Sequence, residues 1–163
     1  MSDLSHYRDD GAAHMVDVTA KDVTKRQATA RGVLRTRPDV VEQIASGDLP
    51  KGEAIATARI AGIMGAKRTP DLVPLCHPLP ISGVEIDVTP DGAGSGTVEI
   101  TATVRTTGRT GVEMEALTAV TVAGLTLYDM IKAVDKAAVL TDIEVVAKSG
   151  GKSGDWVRDE ERP

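Results

Sequence analysis

The strip Ala147-Lys148-Ser149-Gly150-Gly151-Lys152-Ser153-Gly154-Asp155 sets two lysines among glycine and serine with almost no apolar content. Backbone N–H groups freed by glycine, together with ammonium heads, are what an oxyanion such as a phosphate requires. The run is not a P-loop. That motif needs a glycine five residues before Gly151, where Val146 stands, and no apolar helical pattern follows. As a local feature it reads as an exposed Gly/Ser/Lys exit from a last strand.

Four further clusters carry chemistry-bearing side chains. Leu75-Cys76-His77-Pro78 lies in a loop stiffened by Pro74, Pro78 and Pro80, a good mount for a positioned side chain. A lone Cys-His pair offers too few ligands for zinc, so no metal site is expected. Thr110-Gly111-Val112-Glu113-Met114-Glu115 opens a long helical pattern, and Thr110 with Glu113 has capping-box spacing, which would occupy Glu113 at the helix start. Glu113 and Glu115 point about 200° apart on a helix, leaving Glu115 the freer of the two for a pocket.

Asp129 and Lys132 share one helix face. They form either an ordinary surface pair or a carboxylate held ionised by its cation, able to act as a general base. Lys51, Lys67 and Arg68 bracket a helix and, on residue grounds alone, are solvated cations.

The elements that must position these groups follow from periodicity. Met15–Thr19 and Val23–Leu34 alternate as strands. Pro38 starts a short helix that Gly47 closes. Glu53–Lys67 is a helix with a smooth face of small residues, and Leu72–Pro80 is an extended loop. Val84–Val88 and Thr97–Thr106 form a hairpin around the Gly-rich turn 91–96. Val112 to about Val134 is the longest helix, apolar nearly all round in its middle, which hints at a subunit interface. Val139–Val146 is the last strand. This is the split βαβ order of an α+β ferredoxin-like sandwich, an antiparallel sheet with helices packed on one face. The expected organisation is a disordered arm over 1–13, one catalytic domain over 14–155 and a charged tail over 156–163.

Composition narrows the partners. With 163 residues the chain holds a single core, and with no Phe, one Trp and two Tyr that core is built from Val, Ile, Leu, Ala and Met. An aromatic platform for stacking bases is excluded, and a net charge of −5 argues against nucleic acid as an electrostatic partner. One cysteine permits no internal disulfide, and neither a signal core nor a membrane span is evident. The expectation is a soluble cytoplasmic protein.

The segments HMVDVTAK, ATARIAGIMGAKRT, PLCHPLP, TGVEMEALTAV, LYDMIKAVDK and AKSGGKSGD, in this order, closely resemble the cyclic pyranopterin monophosphate synthase (MoaC) family of molybdenum cofactor biosynthesis. The resemblance runs from about His14 to Asp155. It implies a lyase that converts 3′,8-cyclo-7,8-dihydro-GTP to cyclic pyranopterin monophosphate and releases pyrophosphate. Asp129 matches the family's catalytic aspartate, with Lys51 and Lys132 beside it in the catalytic set. Leu75, Cys76 and His77 match its substrate-binding loop, and Met114 and Glu115 its second binding segment. Glu113, Lys67, Lys148 and Lys152 match further pocket positions. The resemblance implies a homohexamer built as a trimer of dimers; no cofactor is expected to be required, and a triphosphate leaves room for a Mg²⁺ companion. The competing reading is a non-catalytic ferredoxin-like module that binds a nucleotide or other small anion.

Overall fold

A computed structural model describes residue 8 and residues 10–159. Residues 1–7 and 9 of the expected arm, and 160–163 of the expected tail, lie outside the described residues. The elements run β1 (Thr24–Arg35), α1 (Pro38–Ser46), α2 (Ala54–Lys67), α3 (Thr69–Leu72), β2 (Ile81–Pro90), β3 (Thr97–Gly108), α4 (Glu113–Ile131), β4 (Val139–Ser149) and β5 (Trp156–Val157). The sheet order is β2-β3-β1-β4-β5, with every pair antiparallel. Its first four strands have the ferredoxin-like arrangement, as the element order predicts.

Alternation along the strands sorts the sheet into two faces. Ala28, Ala30, Leu34, Ile86, Val88, Ile100, Ala102 and Val104 are buried beneath the helices. The opposite face is polar, with Arg31 paired to Glu144 and Arg105 paired to Glu85. In the helix layer Leu127 and Ile131 of α4 are fully buried, each worth about 1.5–3 kcal/mol of apolar burial. Half of the apolar stretch of α4 is buried, so this membrane-length helix is a core element.

Helices α2 and α4 pack closely because small residues line the contact. A side chain at Gly62 would sit 2.4 Å from Cδ1 of Ile86 and 2.9 Å from the Ala119 carbonyl oxygen. The two helices are antiparallel: Lys51, just before α2, reaches Asp129 near the end of α4, while Gly62 meets residues 119 and 123. Pro38 and Gly47 bound α1 as expected, the latter in the left-handed region with its N–H donating to the Gln43 carbonyl.

Two stretches differ from the expectation. Met15–Thr19 forms no strand. Val16 and Val18 are half-buried as the alternation suggests, but no neighbouring strand pairs with the segment, which is an irregular strap. Trp156 and Val157, read as the start of the tail, return beside β4 as β5, with Trp156 opposite Lys148.

Candidate active site

The proline loop is fixed at both ends. Its entry follows α3, where the Val73 and Cys76 amides donate to the Thr69 and Val73 carbonyls. Its exit is held by the buried Thr106, whose hydroxyl donates to the Pro80 carbonyl at 2.8 Å. Between these points Leu75, Cys76 and His77 line a cavity of about 280 Å³, together with Met114 and Glu115 from the first turn of α4. Val16, Val18 and Lys21 of the N-terminal strap line the same cavity. The strap is shaped by Asp17, which accepts from the amide and hydroxyl of Thr19, and by Arg109, which donates to the Thr19 carbonyl.

Glu115 is only 2% exposed at this wall. Burial pushes its carboxyl above the usual carboxylate range, and the charge of Glu113 adds to the rise. The Cys76 thiol is pushed up by burial and by the nearby Glu115. The first cavity therefore combines apolar walls with a carboxyl disposed to hold a proton, a thiol disposed to stay protonated, and an imidazole.

A second cavity of about 200 Å³ shares Lys21, Thr110 and Gly111 with the first and is lined by Arg26, Arg109, Glu113 and Lys148. Four cations thus face one carboxylate. The capping box expected at Thr110 and Glu113 is absent. The N-cap of α4 is Val112, with no side-chain cap bond, and the Thr110 hydroxyl is 3.5 Å from the Gly111 carbonyl instead. Glu113 pairs with Lys148 at 3.1 Å. A charge-assisted contact to a cation outcompetes the cap wherever the chain brings the cation within reach.

The third group stands at the far end of α4. Lys51 donates to both the carboxylate and the carbonyl of Asp129, each at 2.8 Å. Lys132 sits 2.6 Å from the other carboxylate oxygen. The hydrogen bonds from Lys132 and Lys51 lower the Asp129 pKa to about 2, and Asp129 in turn raises that of Lys132. The carboxylate is held fully ionised between two ammonium groups, and all three side chains remain open to solvent.

Of the residues singled out in the sequence, Leu75, Cys76, His77, Met114 and Glu115 meet in one cavity, and Glu113 and Lys148 meet in the next. Asp129, Lys51 and Lys132 form a separate cluster. On the unbroken α4, Asp129 lies fourteen residues beyond Glu115, about 21 Å at 1.5 Å per residue. Lys67 and Lys152 are exposed and form no ion pair among the described residues. Sequence reasoning passed over Lys21, Arg26 and Arg109. Lys21 and Arg109 were signalled only by their place beside the strap and the Thr110-Gly111 turn, and Arg26 by nothing local. Among the described residues no three His, Cys, Asp or Glu side chains converge on a metal-binding position.

A ferredoxin-like sheet carrying a buried carboxyl, an imidazole and an adjacent cation-lined hollow has the make-up of an α+β enzyme. The chain belongs to the MoaC family, whose model matches residues 15–151. It is 61% identical over 158 residues to the cyclic pyranopterin monophosphate synthase of Corynebacterium efficiens, covering 96% of this chain and 99% of that one. It is 64% identical over 155 residues to the Streptomyces coelicolor protein of the same name, covering 95% and 89%. Cyclic pyranopterin monophosphate synthase 2 of Mycobacterium tuberculosis is 62% identical over 156 residues, covering 96% and 92%.

Proposed function

We propose that this protein converts 3′,8-cyclo-7,8-dihydro-GTP to cyclic pyranopterin monophosphate with release of pyrophosphate. It is a lyase of molybdenum cofactor biosynthesis, a cyclic pyranopterin monophosphate synthase. The observation that carries the substrate assignment is the common wall of Lys21, Thr110 and Gly111 between an apolar-sided cavity and a cation-lined one. A fused ring system suits the first, against Leu75, Met114 and the buried Glu115. A triphosphate with about four negative charges suits the second, where Lys21, Arg109 and Lys148 act as fixed cations.

Rebuilding the dihydroguanine ring as a pterin requires proton transfers at ring nitrogens and carbons, and Glu115 and His77, which line one cavity, are the groups for them in this reading. In the closing step a sugar hydroxyl attacks the α-phosphorus. One P–O bond forms, the bond to the bridging oxygen of pyrophosphate breaks, and the hydroxyl proton passes to a base. Asp129, with Lys51 and Lys132, is the catalytic set for this reading, and the ammonium groups offset the negative charge that builds on the phosphoryl oxygens. No cofactor is required, and Mg²⁺ travels with the triphosphate where present.

In this reading the Asp129 cluster and the Glu115 cavity serve one substrate from two copies of the chain, because a nucleotide does not bridge both ends of α4. Ile60 and Met64 of α2 and Leu125 of α4 are each more than 60% exposed, apolar surface suited to contact between subunits in a hexamer made as a trimer of dimers. The enzyme is soluble and works in the cytoplasm.

The deciding experiment supplies purified protein with enzymatically prepared 3′,8-cyclo-7,8-dihydro-GTP and follows pyrophosphate and the oxidised, fluorescent pterin. Stoichiometric appearance of both is expected. Tight binding without pyrophosphate from a folded oligomer would instead identify a ligand-binding module.

A further inference from the structure

We propose that Arg26 is a positioning residue that clasps the lysine strip to the turn before α4, and so sets Lys148 opposite Glu113. Arg26 lies on β1 opposite Thr106 of β3. Its side chain, partly buried, reaches past that partner to the end of β3. Nε donates to the Gly108 carbonyl at 3.0 Å and Nη2 donates to the Arg109 carbonyl at 3.1 Å. These two carbonyls belong to the turn that leads into Thr110, Gly111 and the first acidic turn of α4.

The opposite side of the same guanidinium is covered by the strip. A side chain at Gly151, where φ is +77°, would begin 2.1 Å from Nη1 of Arg26. At Gly150, where φ is +86°, it would begin 2.1 Å from the Lys25 carbonyl oxygen. Two consecutive glycines therefore lie directly on β1 and its arginine, in a backbone conformation that other residues adopt only with strain. The strip is further closed on itself, with the Gly150 amide donating to Asp155 at 3.3 Å and the Gly154 amide to the Gly151 carbonyl at 3.2 Å. It is a docked turn, and one planar group is the floor for it and the anchor of the turn before α4.

Glu113, the first residue of α4, and Lys148, near the end of β4, adjoin these two segments, and their 3.1 Å pair spans the gap between them. Removing the guanidinium frees both segments and leaves the Gly108 and Arg109 carbonyls without their donor. A lysine cannot replace it, since a single ammonium does not present the planar fork that serves two carbonyls on one edge while offering a flat surface to Gly151. The clasp rests on the reading of the second cavity as the phosphate-handling part of the site, but its structural consequence is visible without substrate.

Amide hydrogen exchange of the ligand-free protein, compared across wild type, Arg26→Lys, Arg26→Ala and Gly151→Ala, provides the test. Exchange within 149–155 and 108–112 is expected to accelerate by about tenfold or more in each variant, with the centre of α4 still protected. Gly151→Ala reaches the same contact from the other side, so a folding defect specific to Arg26 does not leave the matter open. In turnover assays KM is expected to rise more than kcat falls. Arg26→Ala combined with Lys148→Ala is expected to be no worse than Lys148→Ala alone, within about threefold. Unchanged exchange in both segments, or fully additive kinetic losses, would overturn the clasp and make Arg26 an independent anion contact. Loss of protection throughout the molecule in all three single-site variants would overturn it as well. A wild-type protein without turnover would instead defeat the functional reading, while the exchange pattern still decides the clasp.

Discussion

Glu115 and Asp129 stand fourteen residues apart on one helix and meet opposite electrostatic fates. Glu115 is buried and its carboxyl is pushed up, whereas Asp129 is exposed between Lys132 and Lys51 and held at about 2. One end of α4 keeps a carboxyl whose neutral form is favoured by burial, and the other keeps a carboxylate that rests ionised at neutral pH. A division of this kind is how a single site assigns acid and anion roles to the same functional group.

The raised Glu115 pKa makes a signed statement about stability. Its folded-state pKa exceeds the unfolded value of 4.5, so the folded state is favoured while the group is protonated and is penalised as pH rises through the folded pKa. Glu115→Gln is expected to melt higher than wild type at pH 7.5. The gain should vanish at pH 4, below the unfolded value. Calorimetry at the two pH values checks it, and a gain that is the same at both would mean that burial is not the cause.

Asp129 carries the opposite sign. Its contribution to stability is complete above the unfolded value of 3.8 and is lost as pH falls towards about 2. Because all three side chains of the cluster are exposed, Asp129→Asn is expected to keep the fold and substrate binding at neutral pH but to lose turnover by about 10²–10⁴-fold. Pyrophosphate release alongside calorimetric binding of the substrate separates the two effects. A variant that binds and turns over as wild type removes Asp129 from the catalytic set.

The separation along α4 has a test of its own. Inactive Glu115→Ala protein and inactive Asp129→Ala protein, once mixed and allowed to exchange subunits, should recover part of the wild-type turnover through hybrid pockets. Mass spectrometry establishes that exchange has occurred. Verified mixed oligomers without any recovery would show that each copy works alone.

Packing between α2 and α4 predicts a purely structural effect. Gly62→Ala places a methyl group 2.9 Å from the Ala119 carbonyl oxygen, and this neighbour is backbone. A loss of about 1–3 kcal/mol is expected from the overpacking. Urea unfolding measures it, with activity at low temperature retained.

Much of this molecule can be read locally. Pro38 and Gly47 mark the ends of α1, the alternation in β2 and β3 marks the hairpin, and small residues every three or four positions mark the smooth face of α2. The proline-rich loop at 74–80 advertises its stiffness. What stayed hidden depends on register between distant strands. Lys148 reaches Glu113, and Arg26 reaches Gly108 and Arg109, only because β1 lies between β3 and β4. The same distant contact dissolved the capping box that Thr110 and Glu113 spell out. Trp156 and Val157 carry too short a pattern to announce a strand and pair only because β4 offers an open edge.

That edge has a practical consequence. Trp156 is the single indole of the chain. It is 41% exposed, stacks 5.5 Å from the Arg158 guanidinium and is held beside Lys148. With no other tryptophan to contribute background, the intrinsic fluorescence of the unlabelled protein is a built-in gauge of the turn at 149–155. Emission colour and quenching by iodide can follow that turn in real time as an anion arrives, without a dye, a tag or a mutation.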